Sequence, residues 1–205
     1  MMSCYTRAIE MGMLSENLKY ISIAAALMII GITLGISMPL GEGEITDNPL
    51  LEGLESIVGY YTPYNPLSVA FLFFKNTLTV AMAFFLGPLL LIVPVMVLAL
   101  NGFLLGMVAN VVASQVSFAG ALASLLPHGV FELPALVIAS AAGIRFGIAS
   151  MKKLRAIISH TDYSLAADFK KSSKLVLVAI ALLLVAALLE TYLTPYILEL
   201  VMVPQ

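Results

Sequence analysis

The feature that most constrains this chain is a series of long apolar segments that contain almost no charged residues. A helix needs about 20 apolar residues to cross roughly 30 Å of hydrocarbon, and five such segments occur, at residues 20–40, 67–86, 89–113, 127–149 and 174–202. Only 11% of the 205 residues are charged, which is too few to coat a soluble globule. The sequence therefore predicts an all-α membrane protein, a bundle of about five transmembrane helices in the lipid bilayer.

The segments between these spans complete the predicted organisation. Residues 1–19 mix both signs of charge and precede a single transmembrane domain at residues 20–205. Residues 115–126 are apolar but too short to cross the bilayer. We predict that they form a short re-entrant or interfacial helix, with Pro127 at the start of the next span.

The basic residues are distributed unevenly along the chain. Seven of the ten Lys and Arg residues lie between residues 145 and 174, whereas residues 41–66 contain five acidic residues and no basic one. The positive-inside rule predicts that residues 1–19 and a basic loop at 150–173 are cytoplasmic, and that the acidic loop at 41–66 and the C-terminus are outside. We expect a multi-pass protein of the cell membrane, and the net charge of −2 argues against binding to nucleic acid.

Three of the spans contain two glycines separated by three residues. This small-xxx-small pattern lets helix backbones approach closely in lipid, and it predicts a compact bundle or a homo-oligomer. The pairs are Gly31 and Gly35, Gly102 and Gly106, and Gly143 and Gly147.

Several polar residues lie inside the predicted spans. At 1.5 Å per residue, Glu132 lies about 27 Å from the cytoplasmic end of its span, and Glu190 lies about 24 Å from the cytoplasmic end of the last span. A lone charge at such depth costs a few kcal/mol or more, so these groups should pair, change protonation state or reach the interface. We predict one polar cluster in the outer half of the membrane, formed by Lys75, Asn76, Asn101, His128, Glu132 and Glu190.

Two prolines lie within one turn of these acids. Pro134 cannot donate a hydrogen bond to the carbonyl of Val130, and Pro195 leaves the carbonyl of Thr191 without its usual helical donor. Freed carbonyls of this kind either bind a cation or water, or are satisfied by neighbouring helices while the prolines only kink the chain.

One chemical interpretation of this cluster is a metal site. His128 and Glu132 lie four residues apart on one helix face, and Glu190 would have to supply the third ligand. The other histidine, His160, lies in the predicted basic loop, and one cysteine, Cys4, excludes a cysteine-based cluster. Because no sequence motif for a hydrolase or a phosphate-binding loop occurs, we expect no enzyme and no cofactor apart from a metal ion bound at this set.

Three stretches carry a resemblance to a known family. They are "FKNTLTVAMAFFLGPLLLIVPVMVLALNGFLLG", "LLPHGVFELPALVIASAAGIRFG" and "ALLETYLTP". Together they resemble the stage II sporulation protein M family over roughly residues 65–197. The family pattern falls on Asn76, Asn101, Gly102, Gly106, His128, Gly129, Glu132, Pro134, Gly143, Arg145, Glu190 and Pro195.

The resemblance implies a membrane component of a protein complex with no known chemistry of its own. In spore-forming bacteria such a component holds cell-wall hydrolases, but the short acidic loop at 41–66 is too small for a wall-degrading domain. We therefore expect a non-catalytic membrane scaffold or complex partner that associates with other membrane proteins. The alternative is a protein that conducts an ion, a proton or a metal through the buried Glu, His, Asn and Lys residues.

Overall fold

A computed structural model gives the fold of the chain over residues 2–39, 62–89, 91–115 and 118–202. Side-chain surroundings are described for all of these except residues 2–16, 115, 118–128, 198, 201 and 202. Most of the predicted acidic loop, at residues 41–61, lies outside the described part of the chain.

The described residues form five helices and no strand, each helix long and apolar enough to cross a membrane. This confirms the predicted fold class. The helices are α1 (Met2–Ile36), α2 (Pro66–Leu86), α3 (Ile92–Gln115), α4 (Phe118–Ile158) and α5 (Leu165–Met202).

The start of α2 shows how the sequence sets one boundary. The side-chain oxygen of Asn65 accepts a hydrogen bond from the backbone N–H of Leu67 at 3.0 Å. Pro66 occupies the first helical position, where its missing N–H has no intrahelical partner to lose. The helix therefore begins within one residue of the predicted boundary at residue 67.

The helix α4 forms the centre of the bundle. In its candidate membrane span, 61% of the residues in the 18-residue segment that defines the span are buried, compared with 22–28% for the other four helices. Its buried face contains Ala135, Ala139 and Ala142, which are fully inaccessible and pack with Leu98 of α3 and Leu183 of α5. Such small side chains let neighbouring helices approach α4 closely, which is how helices associate where water cannot drive them together.

The glycines of α1 and α3 lie directly against each other. A Cβ atom added at Gly31 would lie 2.7 Å from the carbonyl oxygen of Ala99, and one at Gly102 would lie 2.6 Å from that of Met28. Gly35 and Gly106 repeat the contact one turn further along both helices. The two helices therefore run in the same direction, in contact along their glycine faces.

The third glycine pair lies on α4 and faces the C-terminal end of α2. Gly143 packs against the backbone of Ala83, and a Cβ atom at Gly147 would lie 2.5 Å from the carbonyl oxygen of Gly87. All three pairs are thus occupied by contacts within one chain. A homo-oligomer would have to use other surfaces.

Contacts at the two ends of the bundle agree with successive helices that cross in alternating directions. Arg145 of α4 bonds to Asn17 of α1 at one end. At the other end, the side chain of Asn110 in α3 donates to the carbonyl of Met38 at 3.0 Å. The region predicted to be cytoplasmic is thus gathered at the first end, which we call the basic end. The orientation of that end toward the cytoplasm stays a prediction from charge.

The predicted short helix at residues 115–126 is wrong as a separate element. Residues 118–126 form the first turns of α4, which continues through Pro127 and Pro134. Ending a helix inside or near the bilayer would expose backbone N–H and C=O groups, whereas a proline within a helix removes a single hydrogen bond. Continuing the helix therefore leaves fewer polar groups unsatisfied.

The predicted basic loop at 150–173 is also mostly helical. The helix α4 extends to Ile158 and α5 begins at Leu165, so that only residues 159–164 lie outside helices. The membrane boundary changes the solvent but does not end a helix, and neither extension contains glycine or proline. The basic end is therefore a helical hairpin with a short connection.

The contact between α1 and α3 can be tested at Gly106. A Cβ atom in Gly106→Ala would clash with the carbonyl oxygen of Ile32 and lie 2.9 Å from the backbone nitrogen of Ile36. We expect the free energy of unfolding to fall by roughly 1–3 kcal/mol, measured by thermal or denaturant unfolding in detergent.

The matched control is Gly129→Ala, because the added Cβ would meet only the side chain of Leu133, at 3.6 Å. Its stability should change by less than about 0.5 kcal/mol. Equal stability of the two variants would show that the α1–α3 contact is looser than described.

Candidate functional site

Two of the predicted intramembrane residues are buried inside the bundle. Glu132 of α4 is 5% exposed and Asn76 of α2 is 4% exposed. Glu190 of α5 is half-buried. The structure thus directs a carboxylate and an amide toward the interior, as the predicted cluster requires, and the joint site itself stays a prediction.

Two other members of the predicted cluster are used differently. The side-chain amide of Asn101 donates to the carbonyl of Val97 in its own helix at 2.7 Å. Lys75 lies on the exposed side of α2, where its long apolar stem can follow the helix toward the interface. Among the described residues Lys75 forms no ion pair, which agrees with the expected alternative that a charge at this depth reaches the interface.

The predicted metal set is His128, Glu132 and Glu190. Among the residues with described side chains, no group of three His, Cys, Asp or Glu residues could hold a metal ion. The backbone of His128 lies in α4, but its side chain is outside the described part. The metal set therefore stays a prediction.

The carbonyl freed by Pro195 has a partner within the protein. The backbone N–H of Tyr64, just before α2, donates to the carbonyl oxygen of Thr191 at 3.1 Å. Tyr64 adopts a φ of 60°, a left-handed conformation that is uncommon for a residue with a side chain. The irregular chain before α2 thus supplies the donor that proline removed, and this oxygen is occupied by a backbone bond.

A second polar site, which the sequence analysis did not predict, lies at the basic end. Arg145 is only 4% exposed although it is charged. Its guanidinium donates to the side-chain oxygen of Asn17 and forms an ion pair with Asp168 at 3.2 Å. Because a buried charge is costly unless it is paired and hydrogen-bonded, these contacts connect α1, α4 and α5 at one point.

Asp168 is shared between two donors. Its second oxygen accepts a hydrogen bond from the hydroxyl of Tyr163 at 2.8 Å. Burial, together with the hydrogen bond to Asp168, raises the pKa of Tyr163 above its ordinary value near 10. The phenol therefore stays protonated at neutral pH and continues to donate to Asp168.

Aromatic packing fixes the helices that carry this pair. The ring of Phe146, next to Arg145 in sequence, lies 5.4 Å from the ring of Phe84 and 5.4 Å from that of Phe169, which follows Asp168. Ring pairs at such distances are favourable beyond the area that they bury. The three rings join α2, α4 and α5 beside the ion pair and hold its partners in register.

A cavity of about 360 Å³ opens beside Arg145. We call it the Arg145 pocket. It is lined by Lys19, Tyr20, Arg145, Ile148, Ala149, Lys152, Tyr163, Asp168 and Lys171. Its walls thus carry four cationic side chains and one carboxylate, and the carboxylate already binds Arg145 and Tyr163.

The pocket could have been suspected from one sequence signal. Arg145 follows a run without charged residues at 133–144. The first acid after Arg145 that lies in a helix is Asp168. The positive-inside rule uses the basic residues of this region only to orient the chain. Their convergence required the two helical extensions that the sequence analysis had assigned to a loop.

The ion pair predicts a loss of stability in Asp168→Asn. The carboxylate is 23% exposed, so the loss should be smaller than for a fully buried pair, roughly 1–3 kcal/mol in the free energy of unfolding. The measurement is unfolding of the purified protein in detergent at neutral pH.

Asp162→Asn is the control, because it removes the same charge from an exposed position in the connection just before α5. It should be nearly neutral. A loss of equal size in both variants would indicate a general charge effect and not the bond to Arg145.

Comparison with known proteins was made against families, curated proteins and solved structures. The sequence profile described as Stage II sporulation protein M matches residues 19–195. No solved structure matches the chain significantly.

Two curated relatives are uncharacterized proteins of Methanocaldococcus jannaschii. The chain is 30% identical to protein MJ0793 over 135 residues, which is 65% of this chain and 68% of the relative. It is 30% identical to protein MJ0706 over 128 residues, which is 62% of this chain and 56% of that relative. Since the profile covers most of the chain and five helices are long and apolar enough to span a membrane, this multi-pass membrane protein belongs to the stage II sporulation protein M family.

Proposed function

We propose that this protein is a non-catalytic membrane scaffold whose helical hairpin at the basic end binds a partner protein in the cytoplasm. The observation that carries the proposal is an apolar face on the part of α4 that extends beyond the bilayer. The proposal assigns no reaction and no resident cofactor to the protein.

Helix length supports an extension out of the membrane. The candidate span within the described part of α4, Gly129–Ile158, contains 30 residues and is therefore about 45 Å long. The hydrocarbon core is only about 30 Å thick. Because Lys152, Lys153 and Arg155 lie near its end, the last turns of α4 belong in the interface or beyond it.

The last turns nevertheless expose large apolar side chains. Met151, Leu154 and Ile158 are spaced as one helix face and are 56%, 60% and 73% exposed. We call this set the hairpin face. Such a surface outside the hydrocarbon is typical of a site that another protein covers.

The chemistry of the partner follows from the border of the hairpin face. By helical geometry, Arg155 borders the apolar stripe beside Met151. Lys153 lies on the other side beyond Ile157, which is itself 58% exposed. An amphipathic helix with an apolar stripe and acidic edges would complement this surface. We therefore propose that the partner presents such a helix from the cytoplasmic side.

The hairpin face predicts the outcome of a crosslinking experiment in the source cells. The tagged full-length protein would be crosslinked in membranes and isolated, and its partners identified by mass spectrometry. In the double variant Leu154→Gln, Ile158→Gln, we expect the affinity for the partner, and with it the recovery, to fall roughly thirtyfold, since two apolar contacts of roughly 1 kcal/mol each are removed.

The control is Ala166→Gln, Ala167→Gln, which places the same side chains at exposed positions on the other helix of the hairpin. It should retain the partner. Recovery that is unchanged in the Leu154 variant, or absent in the wild type, would contradict the proposal. Recovery of a second copy of this chain would show that the hairpin face joins the subunits of a homo-oligomer.

Conduction of an ion, a proton or a metal is the second candidate. The observation that favours it is the burial of Glu132 in α4, the central helix, because carboxylates at such positions often belong to an ion path. The scaffold proposal gives this carboxylate a structural role.

The two candidates are separated by flux measurements in proteoliposomes. If the protein is a scaffold, fluxes of protons, Na⁺, K⁺ and Zn²⁺ should equal those of empty liposomes, in the wild type and in Glu132→Gln. Glu199→Gln, an exposed acid near the end of α5, is the control. A cation flux that folded Glu132→Gln or Glu190→Gln abolishes and Glu199→Gln retains would establish conduction instead.

A further inference from the structure

Among the residues that the structure describes, the lining of the Arg145 pocket carries more cations than carboxylates. Lys19 comes from α1, Lys152 from α4 and Lys171 from α5, so that three helices bring cations to one cavity. Within the described part of the chain, Lys19 and Lys152 form no ion pair. The single carboxylate, Asp168, is already bound by Arg145 and Tyr163. An anion from outside the protein would neutralise Lys19 and Lys152.

The size and shape of the cavity restrict that anion. A volume of about 360 Å³ exceeds what a halide ion would fill and lies at the lower end of small-molecule sites. Lysine ammonium groups act as point charges and donate hydrogen bonds to phosphate oxygens, and several lysines can bind one phosphate. The walls also contain Ile148 and Ala149, which offer apolar contact to the carbon part of a ligand.

The position of the cavity in the bundle indicates the source of the phosphate. Arg145 lies near the end of an apolar span, and Lys152 lies about 10 Å further along the same helix. This stretch is at the level where lipid headgroups meet the protein. Basic pockets between transmembrane helices on the cytoplasmic side typically bind anionic headgroups.

We propose that the Arg145 pocket binds a phosphate group, and that this group is the headgroup phosphate of an anionic phospholipid. Lys19 and Lys152 contact the phosphate oxygens, while Arg145 and Asp168 hold the three helices at the distance that the headgroup needs. The site lies on the side of α4 opposite the hairpin face. It does not rest on the proposed scaffold function.

The test uses the full-length protein in a neutral detergent. Thermal unfolding would be followed during titration with phosphatidylglycerol, with phosphatidylcholine and with inorganic phosphate, and retained lipid would be counted by native mass spectrometry. Phosphatidylglycerol should stabilise the wild type and phosphatidylcholine should not. In Lys19→Gln, Lys152→Gln, the midpoint of the titration should rise by on the order of tenfold.

The matched control is Lys153→Gln, Lys170→Gln, which removes two charges from the same end of the bundle but outside the pocket. It should bind phosphatidylglycerol like the wild type. The variant Lys152→Arg keeps the charge and should also bind, which separates loss of the site from loss of folding.

The outcomes decide between a site and a general attraction. Equal loss in both double variants, or equal stabilisation by phosphatidylglycerol and phosphatidylcholine, would overturn the proposal. Stabilisation by inorganic phosphate with none by phosphatidylglycerol would keep the phosphate site but overturn its assignment to lipid. Binding of both phosphatidylglycerol and inorganic phosphate would identify the phosphate as the recognised group and support the proposal.

Discussion

Close contact between helix backbones is the constraint on which the rest of this bundle depends. In lipid, apolar side chains gain little by meeting each other, so that helices associate through close packing and through polar contacts. The glycines of α1 meet those of α3, and α4 presents Gly143 to α2 and Ala139 to the core. Because these contacts exclude even a methyl group, they determine which helices are neighbours and in which direction each one runs.

The polar contacts act at the ends of the bundle, where packing alone would leave the chain free to splay. Arg145 connects α1, α4 and α5 through Asn17 and Asp168, and the stacked phenylalanines beside it join α2 to the same point. At the other end the backbone bond from Tyr64 to Thr191 joins the start of α2 to α5. Each end is thereby a fixed platform on which a surface or a cavity can be presented.

These ends also change the interpretation of the polar residues within the spans. The carbonyl of Thr191, which Pro195 leaves without its helical donor, accepts a backbone hydrogen bond from Tyr64. The side-chain amide of Asn101 donates to a carbonyl of its own helix. Glu132 remains as a buried carboxylate in the central helix, while Arg145, Asp168 and the lysines of the pocket lie at the basic end. Both proposed recognition sites, the hairpin face and the Arg145 pocket, lie at that end, and the scaffold proposal gives the interior a structural role.

The sequence alone determined the fold class, the family and the number of helices long enough to span a membrane, because the length of an apolar segment reflects the thickness of the bilayer directly. It could not show that residues 150–158 and 165–173 are helical, since composition marks where hydrocarbon ends and not where a helix ends. Nor could it show that Lys75 faces outward while Asn76 faces inward, or that Lys19 meets Lys152 at one pocket. Those facts depend on helix rotation and on which helices are neighbours, and only the tertiary packing around α4 decides both.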